Sequence, residues 1–335
     1  MKTVSFVALL LLCCLFFGPG CAAQAEDLPA ETAAPETISS GSRGEEVLRL
    51  QNRLYELGYD PGGTDGIFGG DTRKAVKAFQ RRNGLSADGV AGPKTLAVLY
   101  SEEAVSAPAA AAPVDVLAGK LPMLVNRQHP VDETFTPANL VLLTDVIDPD
   151  LAKIKYPSTQ AVSTAADALI TLLQAAREDG IRKWQISAAY RSWEDQESML
   201  NAKTSHYLKK NEGWSRSRAR SAALKSVAEP GCSEHHLGLA FDVNVPGAST
   251  FQGTKQCTWL HKNCWDYGFI VRYQKGKESI TGFTAEAWHI RYVGLEHALY
   301  MRDHDLCLEE YLEGIESGEI TPPLREVEEE IMLDD

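Results

Sequence analysis

Apolar residues recur at helical spacing in a short segment near the N-terminus, residues 41–100. The apolar positions of the first two stripes are Val47, Leu50, Leu54 and Leu57, then Ala75, Val76 and Phe79. Gly58 and Gly84 follow these stripes as stop signals, and a third short helix fits residues 94–100. The pattern predicts three helices around one small core.

Two turns within this segment share one layout. Asp65-Gly66 and Asp88-Gly89 each open a turn that a predicted helix follows. Asp71 or Thr72 after the first turn, and Thr95 after the second, have side chains that commonly cap helices, so we expect them to do so here. The segment has no cluster of nucleophile, base and metal ligands, and its chemistry therefore indicates a binding module.

Residues 121–307 alternate between helical and extended periodicity. An apolar stripe that ends at Gly180 predicts a helix, and Thr164 with Asp167 resembles a capping arrangement at its start. The other predicted elements are strands over 184–191, 239–245 and 269–273 and around 289–293, polar helical stretches within 193–229, and a helix near 257–267. The expected fold class is α+β, with an all-α three-helix domain before a domain whose sheet is mostly antiparallel.

Composition is that of an ordinary globular protein, with 335 residues, 44% apolar and 24% charged. The formal charge is −13, but residues 308–335 alone hold 11 acidic residues and one basic, so the rest of the chain carries only −3. We expect this acidic tail to be a solvated extension that begins with a short helix. The sequence shows no basic patch, which argues against nucleic acid, and it implies no protein partner.

An apolar run from Val4 to Phe17 is too short to cross a bilayer comfortably but suits a signal peptide. We expect residues 1–25 to direct export, either by cleavage, which we favour, or by lipid modification of Cys21; an uncleaved anchor is a third option. Residues 26–40 and 101–120 are rich in small and polar residues and are predicted linkers, the second an Ala/Pro tether.

Four cysteines remain in the folded part: Cys232, Cys257, Cys264 and Cys307. Because an exported protein can form disulfides, they allow three complete pairings, among which the sequence does not choose. Burial as small apolar side chains is the alternative, and Cys264 fits it well.

Candidate chemistry centres on the predicted strand 239–245. Asp242 faces away from the apolar side of this strand, and either His235 or His236 in the preceding loop could share its space with a metal ion. His289 would complete a set of two imidazoles and one carboxylate, which leaves a zinc position open for water. In an extended strand Glu286 would point away from His289, so we expect it in the turn before, as a base near the water.

The pattern Ser-x-His-x-x-Gly-x-Ala-x-Asp over 233–242, together with Glu-x-Trp-His over 286–289, resembles the VanY-type D-alanyl-D-alanine carboxypeptidases. The resemblance implies one catalytic Zn²⁺ held by His235, Asp242 and His289. Residues 41–100 resemble the peptidoglycan-binding domain-1 family through the helix and turn positions given above. That second resemblance implies a partner, peptidoglycan, and a module that holds the enzyme on the bacterial cell wall.

The VanY resemblance also implies roles outside the metal set. Glu286 is the expected base and later acid, while Arg191 stabilises the oxyanion or neutralises the substrate's free carboxylate. Ser233 and Gln196 are expected to line the substrate cleft, and Trp288 to form a wall of it. The expected activity is removal of the terminal D-alanine from stem peptides. L,D-carboxypeptidase, D,D-dipeptidase, endopeptidase and a catalytically silent wall-binding protein remain alternatives.

Overall fold

The computed structural model of the protein describes residues 37–109 and 111–323. The predicted export segment with Cys21, most of the linker 26–40 and residues 324–335 of the acidic tail lie outside the described residues. Within the two described ranges, no helix combines the length and the apolar character that crossing a membrane requires.

The N-terminal unit contains three helices, as the periodicity predicts. These are α1 (Glu45–Glu56), α2 (Gly70–Arg82) and α3 (Pro93–Leu99). Leu50, Leu54, Phe79 and Leu99 are fully buried and form the centre of one apolar cluster. This core holds the three helices together by burial of their apolar stripes.

The two similar turns of this unit are each fastened by a buried glutamine. Gln51 Nε2 donates to Asp65, to the carbonyl of Ile67 and to the Thr72 hydroxyl at 3.0–3.1 Å, and its Oε1 accepts from Gly66. The expected side-chain caps are wrong, because the N-cap residues of α2 and α3 are Gly69 and Gly92, which have no side chain to cap with. The Thr72 hydroxyl is instead turned inward to the glutamine.

The second turn repeats this arrangement. Gln80 Nε2 donates to Asp88, to the carbonyl of Val90 and to the Thr95 hydroxyl, while its Oε1 accepts from Gly89. The sequence echo between the two turns is therefore a repeated hydrogen-bond network rather than a repeated cap.

The second unit is an α+β domain whose five-stranded sheet has one parallel pair and is otherwise antiparallel, as expected. Its strands are β1 (Leu140–Leu142), β2 (Ala152–Ile154), β3 (Gln160–Val162), β4 (Trp184–Ala188), β5 (Ala240–Asn244), β6 (Phe269–Tyr273) and β7 (Glu286–Tyr292). The order across the sheet is β2-β4-β5-β7-β6, and β1 pairs with β3 in a separate ribbon. Strands β5 and β7 are thus central neighbours.

Helices cover this sheet and one of them reaches the cleft. They are α4 (Leu143–Val146), α5 (Ser163–Glu178), α6 (Trp193–Lys210), α7 (Arg216–Ala223), α8 (Lys255–Asn263), α9 (Glu278–Thr281), α10 (Leu295–Asp303) and α11 (Leu308–Ser317). The expected cap of α5 by Thr164 and Asp167 is wrong, since α5 starts after Val162 without a side-chain cap. Ser192 does cap α6 by accepting from Asp195 N.

The expectation that residues 101–120 form a free linker is wrong at both ends. Ala107 N donates to the Leu57 carbonyl in the N-terminal unit, and Tyr59 donates its hydroxyl to the Val105 carbonyl. At the other end Val116 is buried in the core of the α+β domain. The segment therefore packs against both units.

Ion pairs join the N-terminal unit directly to α6 and the loop beside it. Arg81 of α2 lies 2.6 Å from Glu197, 3.0 Å from Glu133 and 3.6 Å from Glu194. Its side chain is only 19% exposed, so water screens these contacts less than at an open surface. The N-terminal unit is therefore docked on α6 of the α+β domain.

Helix α11 belongs to the core of the α+β domain. Leu308 and Tyr311 are fully buried in its main apolar cluster. The short helix expected at the start of the acidic tail is present, but the expectation that this part is solvated is wrong. The four cysteines of the described residues are buried and unpaired, as small apolar side chains would be.

Candidate metal centre and active site

The register of the two central strands places two of the expected metal ligands side by side. Asp242 of β5 lies directly opposite His289 of β7, where antiparallel neighbours bring side chains close. His289 Nδ1 lies 3.1 Å from Asp242 Oδ1. Ligand atoms of His235, Asp242 and His289 all lie within 4.8 Å of one another. Residues far apart in sequence thus meet at one point.

His235 reaches this point from a tight turn before β5. The turn is a 3-10 helix, Glu234–Leu237, that ends at Gly238 with φ of +65°. A Cβ at Gly238 would lie 3.3 Å from the backbone nitrogen of Val162, so the turn needs glycine on both counts. His235 Nδ1 donates to the Ala189 carbonyl at 2.6 Å, which leaves Nε2 free of a proton in the neutral ring, 3.5 Å from Asp242.

The structure separates His236 from this point. Its Nε2 accepts from Gly231 N at 3.0 Å, and its Nδ1 donates to the Arg191 carbonyl at 2.7 Å. Both ring nitrogens are therefore occupied by the backbone. Of the two adjacent histidines, only His235 is placed with Asp242 and His289.

Glu286 is the first residue of β7 rather than part of a preceding turn, so that expectation is wrong. The pairing of β6 with β7 is irregular between Val271 and Tyr273: Val271 pairs with Ile290, but Tyr273 pairs with Glu286. Such a bulge reverses the simple alternation of faces along a strand. Glu286 Oε2 consequently lies on the same side as His289, 3.7 Å from its Nδ1.

Arg191 lies just beyond β4 and is fixed by a neighbour on α6. Its Nη1 donates to Gln196 Oε1 at 2.7 Å, and Gln196 in turn donates to the Ala228 carbonyl at 2.7 Å. Gln196 is 1% exposed. The buried amide thus holds the guanidinium in one orientation at the edge of the cleft.

All eight of the residues singled out from the sequence line one cleft of about 170 Å³. Ser233 is buried within it, whereas Trp288 is partly exposed at its edge. The sequence reasoning missed other lining residues, among them Met199, Tyr273 and Phe283. These come from segments without a motif, so no sequence signal pointed to them.

Electrostatics in the cleft separate the carboxyl groups. Burial raises the pKa of Glu286 to about 7. Burial also opposes charge on Asp242, but the imidazoles of His235 and His289 outweigh it and hold the pKa of Asp242 well below its ordinary range. Burial lowers the pKa of His235, helped by Arg191. Environments that separate the pKa values of two neighbouring carboxyl groups in this way are typical of active sites.

A group of charges that sequence reasoning overlooked lies behind His289. Glu234, Arg272 and Arg291 are all buried, and the Arg272 guanidinium also pairs with Glu309 of α11. Arg272 stands in the otherwise apolar strand β6. A charge in such a strand signals a buried partner, and that signal could have revealed the group.

The donor set fits a divalent metal. Two imidazoles and one carboxylate are the ligands of catalytic zinc sites that keep a position open. The hydrogen bond from His235 Nδ1 to a backbone carbonyl fixes its ring as it does in metal-ligating histidines. His235, Asp242 and His289 are thus able to hold the ion, and Glu286 stands beside them.

Family models match two regions of the chain. The VanY model, described as D-alanyl-D-alanine carboxypeptidase, matches residues 159–295, and the peptidoglycan-binding domain model matches residues 43–99. The two matches fall on the two structural units, and the VanY match contains the whole cleft set from Arg191 to His289.

Curated relatives of the α+β domain include a D-alanyl-D-alanine carboxypeptidase of Enterococcus faecalis. It is 37% identical over 190 residues, which are 57% of this chain and 65% of that protein, slightly under two thirds of its length. The carboxypeptidase YodJ of Bacillus subtilis is 34% identical over 200 residues, 57% of this chain and 67% of that protein.

A solved structure of VanYB in complex with D-Alanine-D-Alanine is 36% identical, covers 57% of this chain and 96% of that one, and superposes with a TM-score of 0.49. Sequence identity to the curated relatives over a long common stretch settles the family. The chain belongs to the VanY family of D-alanyl-D-alanine carboxypeptidases, with a peptidoglycan-binding domain ahead of its VanY domain.

Proposed function

We propose that this protein is a zinc-dependent D-alanyl-D-alanine carboxypeptidase that removes the terminal D-alanine from peptidoglycan stem peptides. The observation that carries the proposal is the meeting of His235, Asp242 and His289 within 4.8 Å, with Glu286 3.7 Å from the His289 ring. The Enterococcus faecalis relative is named for the same reaction.

Zinc, when bound by the three ligands, supplies Lewis acidity that polarises the scissile carbonyl and makes water a better nucleophile. Glu286 takes the proton of the attacking water and passes it to the nitrogen of the leaving D-alanine. A carboxyl pKa of about 7 suits both steps, because the group gains and loses a proton readily near neutral pH.

Arg191 carries the positive charge that a carboxypeptidase needs at its cleft. It either neutralises the free carboxylate of the substrate or stabilises the negative charge that develops on the carbonyl oxygen. Gln196 positions this guanidinium through the 2.7 Å hydrogen bond. Ser233 and Trp288 form walls of the cleft.

The N-terminal module, proposed to span residues 41–100, holds the enzyme on peptidoglycan. Residues 1–25 would direct export, through cleavage or through lipidation of Cys21, to the extracellular face where peptidoglycan lies. An exported location supplies both the polymer that the module binds and the stem peptides that the cleft hydrolyses.

The same zinc chemistry serves other bonds in this family. A relative from Enterococcus gallinarum, 30% identical over 200 residues, is named as a bifunctional D-Ala-D-Ala dipeptidase and carboxypeptidase. L,D-carboxypeptidase, D,D-dipeptidase and endopeptidase activities are therefore the alternatives to be tested, together with a silent wall-binding role.

The deciding experiment offers the purified protein three substrates, each with and without a metal chelator. These are a pentapeptide ending in D-Ala-D-Ala, the corresponding tetrapeptide, and free D-Ala-D-Ala, with products read by mass spectrometry. We expect chelator-sensitive release of D-alanine from the pentapeptide, and release at least about 100-fold slower by the Glu286→Gln variant. Release from the tetrapeptide alone would overturn the substrate, and no release from any substrate would overturn the enzyme assignment.

A further inference from the structure

A chain of buried charges runs from α11 to the back of the His289 ring. Arg272 donates through Nη1 and Nη2 to both carboxylate oxygens of Glu309, at 2.8 and 2.6 Å. Its third nitrogen, Nε, donates to Glu234 Oε1 at 2.7 Å. Arg272 therefore connects a carboxylate near the surface to one that is completely buried.

Glu234 ends this chain with one oxygen unused. Its Oε2 has no hydrogen-bond partner among the described residues, and neither has His289 Nε2. The two atoms lie 3.8 Å apart. A buried polar atom without a partner is costly, and these two, an acceptor and a ring nitrogen that can donate, would satisfy each other if they moved slightly closer.

A hydrogen bond from His289 Nε2 to Glu234 would determine which ring nitrogen is available to a metal ion. If Nε2 carries its proton toward Glu234, the unprotonated nitrogen is Nδ1, which lies 3.1 Å from Asp242 and on the side of Glu286. Carboxylates behind ligating histidines commonly fix the ring and its tautomer in this way. Glu234 is placed to do so for His289, as the Ala189 carbonyl is for His235.

Charge balance explains why Glu234 stays ionised. Burial alone would oppose its charge, but the Arg272 guanidinium donates a hydrogen bond to it and the Arg291 guanidinium lies beside it, so the buried carboxylate is compensated by two cations. Arg291 lies 3.2 Å from the same oxygen as Arg272. Glu309 is the fourth member, and it makes the buried group neutral overall, as buried ions require.

Glu309 lies outside the VanY match, which ends at residue 295. Its neighbour Glu310, on the same turn of α11, pairs instead with the partly exposed Lys277 at 2.8 Å and caps the helix by accepting from Cys307 N. Glu309 thus connects α11 to the site, whereas Glu310 only stabilises α11. Comparing variants of the two glutamates distinguishes these roles.

We propose that Glu234 is a positioning residue for His289, and that Glu309 acts on the same ring through Arg272. The proposal rests on the proposed function only in taking zinc as the ion that His289 holds. Helix α11 then supports the site from outside the residues that the VanY model matches, although it contributes no residue to the cleft itself.

The test compares Glu309→Gln with Glu310→Gln as a matched control in the full chain. Zinc affinity is measured by competition with a chromophoric chelator, and the visible spectrum of the cobalt-substituted protein reports on the ligand set. Urea unfolding records the stability of each variant. We expect Glu309→Gln to weaken zinc binding by at least about 10-fold and to change the cobalt spectrum, while Glu310→Gln changes neither.

Unchanged zinc affinity and cobalt spectrum in Glu309→Gln would overturn the proposal, as would equal weakening in both variants, since the effect would then be one of helix stability. Glu234→Gln should weaken zinc binding further; if it fails to fold, the Glu309 comparison still decides. Loss of zinc affinity in Glu309→Gln without any peptidase activity of the wild type would sink the proposed reaction and leave this positioning intact.

Discussion

Replacing Glu286 with glutamine should make the metal-free protein more stable at pH 8 while removing its hydrolytic activity. The cause is burial of a carboxyl group, which is only 16% exposed and whose pKa burial raises to about 7. Ionised Glu286 therefore costs folding free energy that a neutral amide of the same shape does not. The site holds this charge for its chemistry.

The size of the effect follows from the pKa difference. In the unfolded chain the group titrates near 4.5, so between about pH 4.5 and 7 only the folded protein keeps the proton. The contribution of Glu286 to wild-type stability falls as pH rises through this window and is constant above it. A difference of about 2.5 in pKa corresponds to ~3 kcal/mol, the amount by which Glu286→Gln should exceed wild type at pH 8.

Urea unfolding of the metal-free proteins at pH 4 and pH 8 provides the measurement. Wild type and Glu286→Gln should differ little at pH 4 and by ~3 kcal/mol at pH 8. Zinc-loaded Glu286→Gln should keep its metal but lose at least about 100-fold in kcat on a peptide ending in D-Ala-D-Ala, since it lacks the base.

Glu310→Gln gives a control of opposite sign. Burial raises the pKa of Glu310, but hydrogen bonds from Lys277 and Cys307 outweigh it and lower that pKa, so this variant should lose stability at pH 8. The reasoning about Glu286 is refuted if Glu286→Gln is less stable than wild type at pH 8, or if the difference is the same at both pH values. Either result would mean that packing, not charge burial, governs the site.

Four further variants test other parts of the structure. His235→Ala should lose stoichiometric zinc while His236→Ala retains it, as metal analysis of the purified proteins will show. Arg191→Lys keeps the positive charge but loses the planar guanidinium that is hydrogen-bonded to Gln196. We expect kcat/KM to fall by about 100-fold in the peptide assay. Arg81→Ala should release the N-terminal module from α6 and increase the radius of gyration in small-angle scattering; an unchanged radius would contradict docking through these ion pairs.

Periodicity was sufficient to predict the three helices of the module and, in the α+β domain, helix α5 and strands β4, β5, β6 and β7; it did not reveal the short strands β1, β2 and β3. The meeting of His235, Asp242 and His289 was predicted as well, but from the spacing within two family motifs rather than from periodicity.

Three contacts between segments distant in sequence were not predicted. Glu286 shares a side with His289 only because β7 bulges against β6, and a bulge has no sequence signature here. Thr72 was expected to cap α2, yet its hydroxyl accepts a hydrogen bond from Gln51, which is distant in sequence. Glu234 appeared as an unremarked position between two motif residues, since its partner Arg272 comes from another strand. Each error arose where a distant contact overrode a local preference.

The docking of the module on α6 has a consequence for how the enzyme works on a surface. On a flexible linker, the catalytic domain could reach many positions around the point where the module binds. Ion pairs of Arg81 with Glu133 and Glu197 hold the two units together and prevent this movement. The cleft then lies at a fixed distance from the peptidoglycan that the module binds. Such an enzyme would cleave only those stem peptides that lie at this distance from the bound module. The module would have to dissociate from the wall before the cleft could reach others.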